Sequence, residues 1–406
     1  MPLADRIIAA HAGRSSVVPG EIHEVDIDRL YIQDGNSPTI ARIFSEQGFD
    51  RVFDAERIGV FFDHSVLPPN ISMADRIQEA ERFCESFGFQ RFAPGAGISH
   101  LVALEQGWFE PGTIVLGSDS HTCTGGVAQC LALGMGATDI AAAMVTGRTW
   151  LLVPESVCLD IRGVPAPSSG PKDLLLALLA KYPSDQFLYR SIEWTGEWIG
   201  GLSGDGATTL ANMAVEMGAK CAFLPPHRGA EGLEPIDPRA EGYVEHLVFD
   251  AEGLPPHVAR PHSPSSSVPI DECSGLRIDQ VFVGSCTNGK FEDIEQVSGI
   301  LKGRQIHPRT TLVITPASRE IFLRCLQEGY VETITRAGGL FTPAGCGSCL
   351  GTQGPIPATG SRVLTTMNRN FQGRMGNRDA EIYLASPSVA AWTAIKGEIP
   401  KLEDLS

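Results

Sequence analysis

The sequence lacks any apolar run long enough to cross a membrane. A spanning helix needs about 20 consecutive apolar residues, and no stretch of the 406 residues approaches that length. The N-terminal stretch MPLADRIIAAHAGRSS also has no apolar core of the kind found in secretion signals. These absences argue against a membrane protein and predict a cytoplasmic location.

The sequence also lacks an excess of positive charge. It contains 32 Lys and Arg against 48 Asp and Glu, so its formal net charge is −16. Binding to nucleic acid or to a membrane surface generally requires a basic patch. We therefore expect neither, and an anionic ligand must meet locally placed arginines.

The composition shows neither the scarcity of apolar residues nor the charge excess of a disordered chain, since it is 43% hydrophobic and 20% charged. Short β-branched runs alternate with helical patterns, which is typical of α/β proteins. Residues 72–87 are predicted to form a helix with Ser72 and Asp75 at its start and one apolar stripe. The predicted buried parallel strands are 57–62, 112–117, 277–285 and 310–316.

The length predicts two or three domains at about 150 residues each. Two Pro/Ser-rich stretches, 163–171 and 254–269, have the composition of joints. We therefore expect three α/β domains, covering residues 1–155, 156–257 and 258–406.

The ten cysteines are scattered through a large chain without a targeting signal, which favours a reduced compartment. Cys84 and Cys325 follow helical apolar spacing and are predicted to fill the core. Cys346 and Cys349 form a Cys-x-x-Cys, which suits a redox dithiol, half of a zinc site or part of an iron–sulfur site.

No second Cys-x-x-Cys completes a zinc site, and a dithiol leaves Cys286 without a purpose. Cys286 follows a predicted strand and precedes a helix start, where thiol pKa values are usually lowered. Three thiolates are therefore the favoured count. An iron–sulfur cluster held by three cysteines leaves one iron free to bind a substrate hydroxyl as a Lewis acid.

Polar residues follow the predicted strands, where α/β proteins usually bind ligands. Asp63 and His64 come after one strand, and Asp119, Ser120 and His121 come after another, before a Gly-rich turn. Such groups suit acid–base chemistry, although histidine pairs and turns of this kind are often only structural. Further along, Arg369 and Arg374 follow Asn368, and they are either carboxylate-binding groups or surface charges.

Five motifs in this order resemble those of the aconitase superfamily. They are DH at residue 63, GSDSHT at 117–122, GSCTNG at 284–289, CGSCLG at 346–351 and NRNFQGR at 368–374. The segment GMGATDIAAAMVTGRTWLLVPES further resembles the large subunits of two-subunit isopropylmalate and homoaconitate dehydratases. Together the motifs span nearly the whole chain, and the implied fold is three α/β domains around a central cluster.

The resemblance implies a set of site residues. Those expected to hold a [4Fe-4S] cluster with one open iron are Cys286, Cys346 and Cys349. Three pairs are expected to be catalytic, and they are Asp63 with His64, His100 with Asp119, and His121 with Glu216. The residues expected to bind substrate are Ser120, Asn212, Asn288, Asn368, Arg369 and Arg374. Asn212 and Glu216 are also spaced to share one face of a helix that ends at Gly218.

The implied reaction is reversible dehydration and rehydration of a 2-hydroxy di- or tricarboxylic acid. His64 is expected to protonate the departing hydroxyl, while Arg369 and Arg374 stabilise negative charge on the substrate. The first expected function is that of a 3-isopropylmalate dehydratase large subunit in leucine biosynthesis. A homoaconitase or a dimethylmalate-type dehydratase is the alternative within the enzymes. An RNA-binding regulatory relative and an iron-storage or scaffold protein are the alternatives of other classes.

The resemblance also implies a partner. Full-length aconitases carry a mobile swivel domain with a serine base and a further arginine, and this chain ends soon after its third expected domain. We therefore expect a small swivel-domain subunit to complete the site in a heterodimer or heterotetramer.

Two positions depart from the family pattern. Met367 replaces a small hydroxyl residue, and Gly125–Gly126 replaces a bulkier pair. Both departures are expected to alter the substrate pocket.

Overall fold

The computed structural model describes residues 1–183 and 185–405, which form alternating strands and helices. The strands are β1 (Ile22–Asp26), β2 (Arg29–Gln33), β3 (Ile58–Phe61), β4 (Gln90–Phe92), β5 (Ile114–Gly117), β6 (Leu131–Gly134), β7 (Arg148–Leu152), β8 (Ser156–Arg162), β9 (Ser191–Thr195), β10 (Cys221–Phe223), β11 (Tyr243–Asp250), β12 (His257–Ala259), β13 (Ser267–Pro269), β14 (Gln280–Val283), β15 (Thr311–Ile314), β16 (Leu340–Phe341), β17 (Arg362–Thr365) and β18 (Glu381–Leu384).

The α-helices lie between and around these strands. They are α1 (Leu3–His11), α2 (Ser37–Gln47), α3 (Ile71–Phe87), α4 (Ser99–Glu105), α5 (Ala137–Thr146), α6 (Pro171–Lys181), α7 (Glu197–Gly200), α8 (Gly204–Met213), α9 (Ser285–Asn288), α10 (Phe291–Leu301), α11 (Arg319–Gln327), α12 (Tyr330–Arg336) and α13 (Pro387–Lys396). Strands and helices therefore alternate along most of the chain, and the predicted α/β class is confirmed.

A five-stranded parallel sheet has the order β4-β3-β2-β5-β6. Its strands β3 and β5 confirm the strands predicted at 57–62 and 112–117, and all their residues are buried. Near-continuous apolar runs suit such strands because helices cover both faces of a parallel sheet. The remaining β1 and β7 form a separate antiparallel pair.

The helix predicted at residues 72–87 is α3, but its cap differs from the prediction. Asn70, and not Ser72, precedes the first helical residue, and its side-chain oxygen accepts a hydrogen bond from the Met73 amide at 2.9 Å. Asparagine caps as well as serine, and the two candidates are too close in sequence for the pattern to separate. The predicted apolar stripe is confirmed by Ala80 and Phe83, which are buried.

A four-stranded parallel sheet has the order β10-β9-β8-β11. The stretch 163–171, expected to be a joint, connects β8 directly to α6. Its proline and serine content therefore belongs to a strand-to-helix turn. The domain boundaries at 155/156 and 257/258 stay a prediction.

A seven-stranded sheet has the order β13-β12-β18-β17-β14-β15-β16. Its β14 and β15 confirm the predictions at 277–285 and 310–316, and they pair in parallel. The low-complexity stretch 254–269 is wrong as a simple linker, because it contains β12 and β13, which pair antiparallel. The edge strand β13 tolerates proline and serine, since only one of its sides must supply ladder hydrogen bonds.

The five-stranded and seven-stranded sheets meet near the ends of their strands. Gly97 and Ser318 form an isolated antiparallel bridge, and the Ile98 amide donates to the Ala317 carbonyl at 2.7 Å. The Cys346 amide donates to the Asp63 carbonyl at 2.9 Å, which ties a loop of the seven-stranded sheet to the end of β3. Loops after strands of both sheets are thereby brought to one place.

The cysteines are free thiols, and Cys84 and Cys325 are buried, which confirms their predicted place in the core. Within residues 1–183 and 185–405, no helix combines the length and the apolar character that a membrane crossing requires.

Candidate active site

The first acid–base pair lies directly after β3. Asp63 is fully buried, and its Oδ1 lies 2.6 Å from Nδ1 of His64 while its Oδ2 accepts the Ser99 amide at 2.7 Å. Asp34, which follows β2, also faces His64, with Oδ1 at 3.5 Å from Nδ1. Nδ1 of His64 therefore faces two carboxylates.

Burial alone lowers the pKa of His64, but the carboxylates of Asp63 and Asp34 outweigh it and hold the pKa well above its ordinary value. Asp34 additionally accepts the backbone amides of His64 and Ser65. The motif did not mark Asp34, because it comes thirty residues earlier and only the parallel pairing of β2 with β3 places it here.

The second predicted pair also forms. Nε2 of His100 lies 3.1 Å from Oδ1 of Asp119. On the other side of the ring, Nδ1 of His100 lies 2.7 Å from the hydroxyl of Tyr31, which is fully buried and also donates to Thr122 at 3.2 Å. Tyr31 carries no sequence signal for this role, since a tyrosine inside an apolar strand is indistinguishable from a core residue.

The third pair continues from the second. Nε2 of His121 lies 2.8 Å from Oε1 of Glu216, and Nδ1 of His121 lies 3.5 Å from Oδ1 of Asp119. Burial raises the pKa of Asp119, but hydrogen bonds from His100 and His121 hold it well below its ordinary value. Burial lowers the pKa of His121, and Asp119 and Glu216 raise it on balance. Two imidazoles and two carboxylates thus form one connected charged network.

Asn212 and Glu216 lie inside the protein, although their backbone differs from the prediction. Asn212 is in α8, whereas Glu216 lies in a 3-10 turn, Ala214–Met217, that follows the helix. Gly218 ends this turn with a φ of 93°, which favours glycine. The amide of Asn212 donates to Thr124 and accepts from Thr287, both at 2.8 Å, so it braces two loops of the site.

The two predicted arginines are partly buried within the site. Arg369 forms an ion pair with Glu216, with Nε to Oε1 at 2.7 Å, and donates to the hydroxyl of Ser120 at 3.1 Å. Arg374 donates from Nη2 to Sγ of Cys349 at 3.2 Å, and its buried Nε has no hydrogen-bond partner. Burial lowers the pKa of Arg374, but its contact with Cys349 outweighs burial, and the pKa is raised.

The three predicted ligand cysteines converge beside these pairs. Cys286 and Cys349 are buried and Cys346 is partly exposed. The side-chain amide of Asn368 lies between two of them, donating to Sγ of Cys286 at 3.4 Å and placing its oxygen 4.0 Å from Sγ of Cys349. The loop around Cys346 and Cys349 contains Gly345, Gly347 and Gly351. Gly347 has a φ of 59°, and a Cβ added there would lie 2.7 Å from Oγ1 of Thr315.

The expected lowering of the Cys286 pKa by a helix start is wrong for the free thiol. The helix α9 has only four residues, and burial, followed by the nearby Cys349, raises the pKa of Cys286 to about 12. A helix dipole that short cannot offset the loss of water around the sulfur.

The donor set fits an iron–sulfur cluster better than a single ion. Within the described residues, the candidate group for one ion is Asp63, His64 and Cys346, whose ligand atoms lie within 4.8 Å of one another. The other two thiols are outside that group, as expected if each sulfur serves a different iron of a cluster. Side-chain N–H groups directed at Cys286 and Cys349 also match the hydrogen bonds that cluster sulfurs accept.

Asn288 is the predicted residue that the structure places apart. Its side-chain amide donates to Asp293 at 2.9 Å, and its Oδ1 has no partner. It lines a cavity of about 360 Å³ together with Lys172 and Asp293, and none of the six predicted catalytic residues lines that cavity.

The two departures from the family pattern lie at tightly packed positions, and their expected effect on the substrate pocket stays a prediction. A Cβ at Gly126 would lie 1.6 Å from the Ala222 carbonyl oxygen, and one at Gly125 would lie 2.6 Å from the Cβ of Ala132. Met367 is fully buried. The two glycines let the 3-10 segment Ser120–Ala128 lie directly against β6 and β10.

A family model described as "Aconitase family (aconitate hydratase)" matches residues 10–231 and 271–397. A 3-isopropylmalate dehydratase large subunit from Caldanaerobacter subterraneus is 40% identical, with 100% of this chain and 99% of that protein covered. A probable methanogen homoaconitase large subunit from Methanothermobacter thermautotrophicus is 39% identical, with 98% and 97% covered. The chain belongs to the aconitase family.

The fold is also similar to a solved structure, that of aconitase X from Thermococcus kodakaraensis in its holo-form. The TM-score is 0.57 over 86% of this chain and 84% of that chain, at 15% sequence identity. That likeness concerns the fold alone. Family membership makes the chain a hydro-lyase and implies an iron–sulfur cluster.

Proposed function

We propose that this chain is the catalytic large subunit of a 3-isopropylmalate dehydratase. The observation that carries the proposal is the convergence of three His–carboxylate pairs, two arginines and three cysteines where the strand ends of two sheets meet. The full-length similarity to large subunits with that name supports the choice of substrate.

In this proposal Cys286, Cys346 and Cys349 hold a [4Fe-4S] cluster. When bound, the cluster supplies Lewis acidity at an iron that has no thiolate ligand. The thiols suit this role because they are free, adjacent and approached by the side chains of Asn368 and Arg374.

The residues of the chain supply proton transfer and substrate binding. His64, whose Nδ1 faces two carboxylates, keeps a proton at its imidazole for the departing hydroxyl. Arg369 and Arg374 bind substrate carboxylates and stabilise charge that develops there, because guanidinium groups bind carboxylates bidentately. Ser120 and Asn368 lie beside these arginines and orient the substrate.

The two further pairs fix the geometry of the pocket. His100 and His121 share Asp119, and Glu216 links His121 to Arg369. A change in the charge of one member therefore alters the position of the others. Asn212 is proposed to support this network, and Asn288 to bind substrate only after a change of side-chain direction.

A small swivel-domain subunit completes the site in a heterodimer or heterotetramer and provides the base that removes the carbon-bound proton. The relatives carry the designation "large subunit", which supports a smaller partner. Homoaconitase is the second candidate, because a relative of that name is 39% identical over nearly the full length.

The first experiment assays the chain co-purified anaerobically with its small subunit on 3-isopropylmalate, homocitrate and dimethylmalate. Turnover of 3-isopropylmalate with the highest kcat/KM supports the proposal. A preference for homocitrate supports the second candidate, and no turnover of any of the three by a cluster-loaded pair contradicts both.

The second experiment replaces each ligand cysteine by serine and counts iron and sulfide. Wild type should hold about four irons, and Cys286→Ser, Cys346→Ser and Cys349→Ser should lose the cluster and its visible absorbance. The matched control is Cys123→Ser, because Cys123 is also buried and contacts the backbone of α8. Full iron content in a ligand variant would contradict the assignment.

A further inference from the structure

Two lysines are buried in the core behind the cysteine loops. Lys172, in the first turn of α6, is 1% exposed, and Lys290, directly before α10, is 0% exposed. Burying an ammonium group costs several kcal/mol unless it is paired. Such positions therefore call for an explanation, and neither residue belongs to the catalytic or binding set above.

Both lysines bind backbone carbonyls next to the site. The Nζ of Lys290 donates to the carbonyl of Thr287, the residue after Cys286, and to Oγ1 of Thr209 at 2.9 Å. The Nζ of Lys172 donates to the carbonyls of Met367 and Thr366, the second of these at 3.3 Å.

The loop held by Lys172 leads directly to the cysteine sulfurs. The residue that follows Met367 is Asn368, whose side chain donates to Sγ of Cys286 at 3.4 Å. The lysines thus bind the backbone of the two loops that meet at Cys286. Both also contact α8, through Thr209 and Met213, which are one turn apart.

The charges of the lysines are incompletely balanced by the protein. Lys290 lies 3.4 Å from Oδ2 of Asp293. Among the described residues, no carboxylate lies within 4.0 Å of the Lys172 ammonium, whose contacts are two carbonyls and a thioether. Burial lowers the pKa of Lys172 to about 7, and the more distant Glu216 opposes this. Lys172 thus lacks a carboxylate at ion-pair distance, whereas Lys290 has one in Asp293.

We propose that Lys172 and Lys290 are positioning residues that hold the two loops around Cys286 and place positive charge behind an anionic iron–sulfur cluster. The inference rests on the proposed function, in that a cluster occupies the three cysteines. A cluster with three thiolates is negatively charged, and nearby charge and hydrogen bonds set its reduction potential. Buried charges act strongly because the protein interior screens them poorly.

The test uses full-length Lys172→Met and Lys290→Met variants, reconstituted anaerobically with iron and sulfide. Methionine keeps the length of the side chain and removes the charge. Reduction by dithionite, a one-electron donor, followed by electron paramagnetic resonance should show a more negative cluster potential in both variants. Release of iron to a chelator should be about tenfold faster, as for other outer-shell changes at metal sites.

Two further sets of variants keep the test decisive. Lys172→Gln and Lys290→Gln retain a hydrogen-bond donor without charge, so they report on charge if the methionine variants do not fold. The control is Lys220→Met, because Lys220 is also partly buried but its ammonium lies over the Tyr189 ring, 5.3 Å from its centre, away from these loops. It should keep the wild-type potential and iron release.

The outcomes separate the two proposals. If the wild-type chain binds no iron and sulfide, the proposed function fails. If wild type holds a cluster and the glutamine and methionine variants keep its potential and iron release, the lysine proposal is overturned. Lower thermal stability with an unchanged potential would also overturn it, since that result indicates a purely structural role.

Discussion

At the residue scale, a polar group outside the predicted pairs supports two of the acid–base imidazoles. Asp63 and Asp34 both face Nδ1 of His64, whereas Asp119 and Tyr31 hold the two different ring nitrogens of His100. An imidazole fixed on both ring nitrogens has one tautomer and one orientation for each charge state. Asp34 and Tyr31 are therefore as much part of the site as the pairs that the motifs mark.

We expect Tyr31→Phe to lower kcat about fivefold with little change in KM. The variant removes the hydroxyl at 2.7 Å from Nδ1 of His100 and keeps the buried ring, and one hydrogen bond contributes about 1 kcal/mol. The measurement is steady-state kinetics of the complex with the small subunit.

Tyr243→Phe is the matched control for this prediction. Tyr243 also donates to a buried carboxylate, that of Glu193, but far along the chain from the site residues. It should lower thermal stability and leave kcat unchanged. An equal fall of kcat in both variants would contradict a specific role for Tyr31.

At the element scale, close packing of the 3-10 segment Ser120–Ala128 decides where Ser120 and His121 lie. The segment contacts β6 and β10 through Gly125 and Gly126, where a side chain has no room. Because protein interiors are densely packed, the position of this segment depends on the lack of a side chain at Gly125 and Gly126.

Gly126→Ala should therefore destabilise the protein strongly, by about 3 kcal/mol or more, since overpacking against backbone cannot be relieved by a rotamer change. Gly299→Ala is the contrasting variant, because Gly299 is exposed inside α10 and a Cβ there meets nothing within 4 Å. It should stabilise by about 0.5 kcal/mol or more through helix propensity. Thermal unfolding of both variants checks the two signs.

The end of α1 carries a pH-dependent contact. Nε2 of His11 lies 2.9 Å from Oδ2 of Asp28, just before β2. The hydrogen bond to Asp28 raises the pKa of His11 above its ordinary 6.5 although burial opposes it, so the folded state binds the proton more tightly than the unfolded state. The stabilisation is thus complete below pH 6.5 and is lost as the pH rises through the higher folded-state pKa.

His11→Gln should accordingly cost about 1 kcal/mol of stability near pH 6 and much less near pH 9. The measurement is the melting temperature of wild type and variant across that range. A difference that is constant with pH would show that the contact does not depend on the charge of His11.

At the scale of the whole molecule, the site joins sheets that are separate in sequence. The proposed cluster ligands follow strands of the seven-stranded sheet, whereas Asp63, His64 and Asp119 follow strands of the five-stranded sheet. The Cys346 amide and the Asp63 carbonyl connect the two directly. A ligand bound only by the folded arrangement stabilises that arrangement.

Cluster loading should therefore raise the melting temperature of the chain. Anaerobically reconstituted protein is expected to unfold several degrees above the apo chain. A ligand at one hundred times its dissociation constant raises the free energy of unfolding by about 2.7 kcal/mol. Differential scanning calorimetry under anaerobic conditions checks this. Equal melting temperatures of apo and iron-loaded protein would contradict cluster binding at the junction of the two sheets.

The sequence by itself determined the elements and the chemistry carried by its motifs. Apolar β-branched runs predicted β3, β5, β14 and β15, because strands that are buried on both faces consist almost entirely of apolar residues. The strand ends then marked where Asp63, Asp119 and Cys286 lie. Local signals of this kind depend on neighbours in the chain, so a single sequence carries them.

Tertiary structure alone decided which distant groups act together. Tyr31, Asp34, Lys172 and Lys290 carry no motif, and most of their partners lie thirty or more residues away. Tertiary structure also explains why the Pro/Ser-rich stretch 254–269 contains paired strands and why the side chain of Asn288 donates to Asp293. Hydrogen-bond partners, burial and electrostatic balance arise from packing between elements, and one sequence does not encode them in any local pattern.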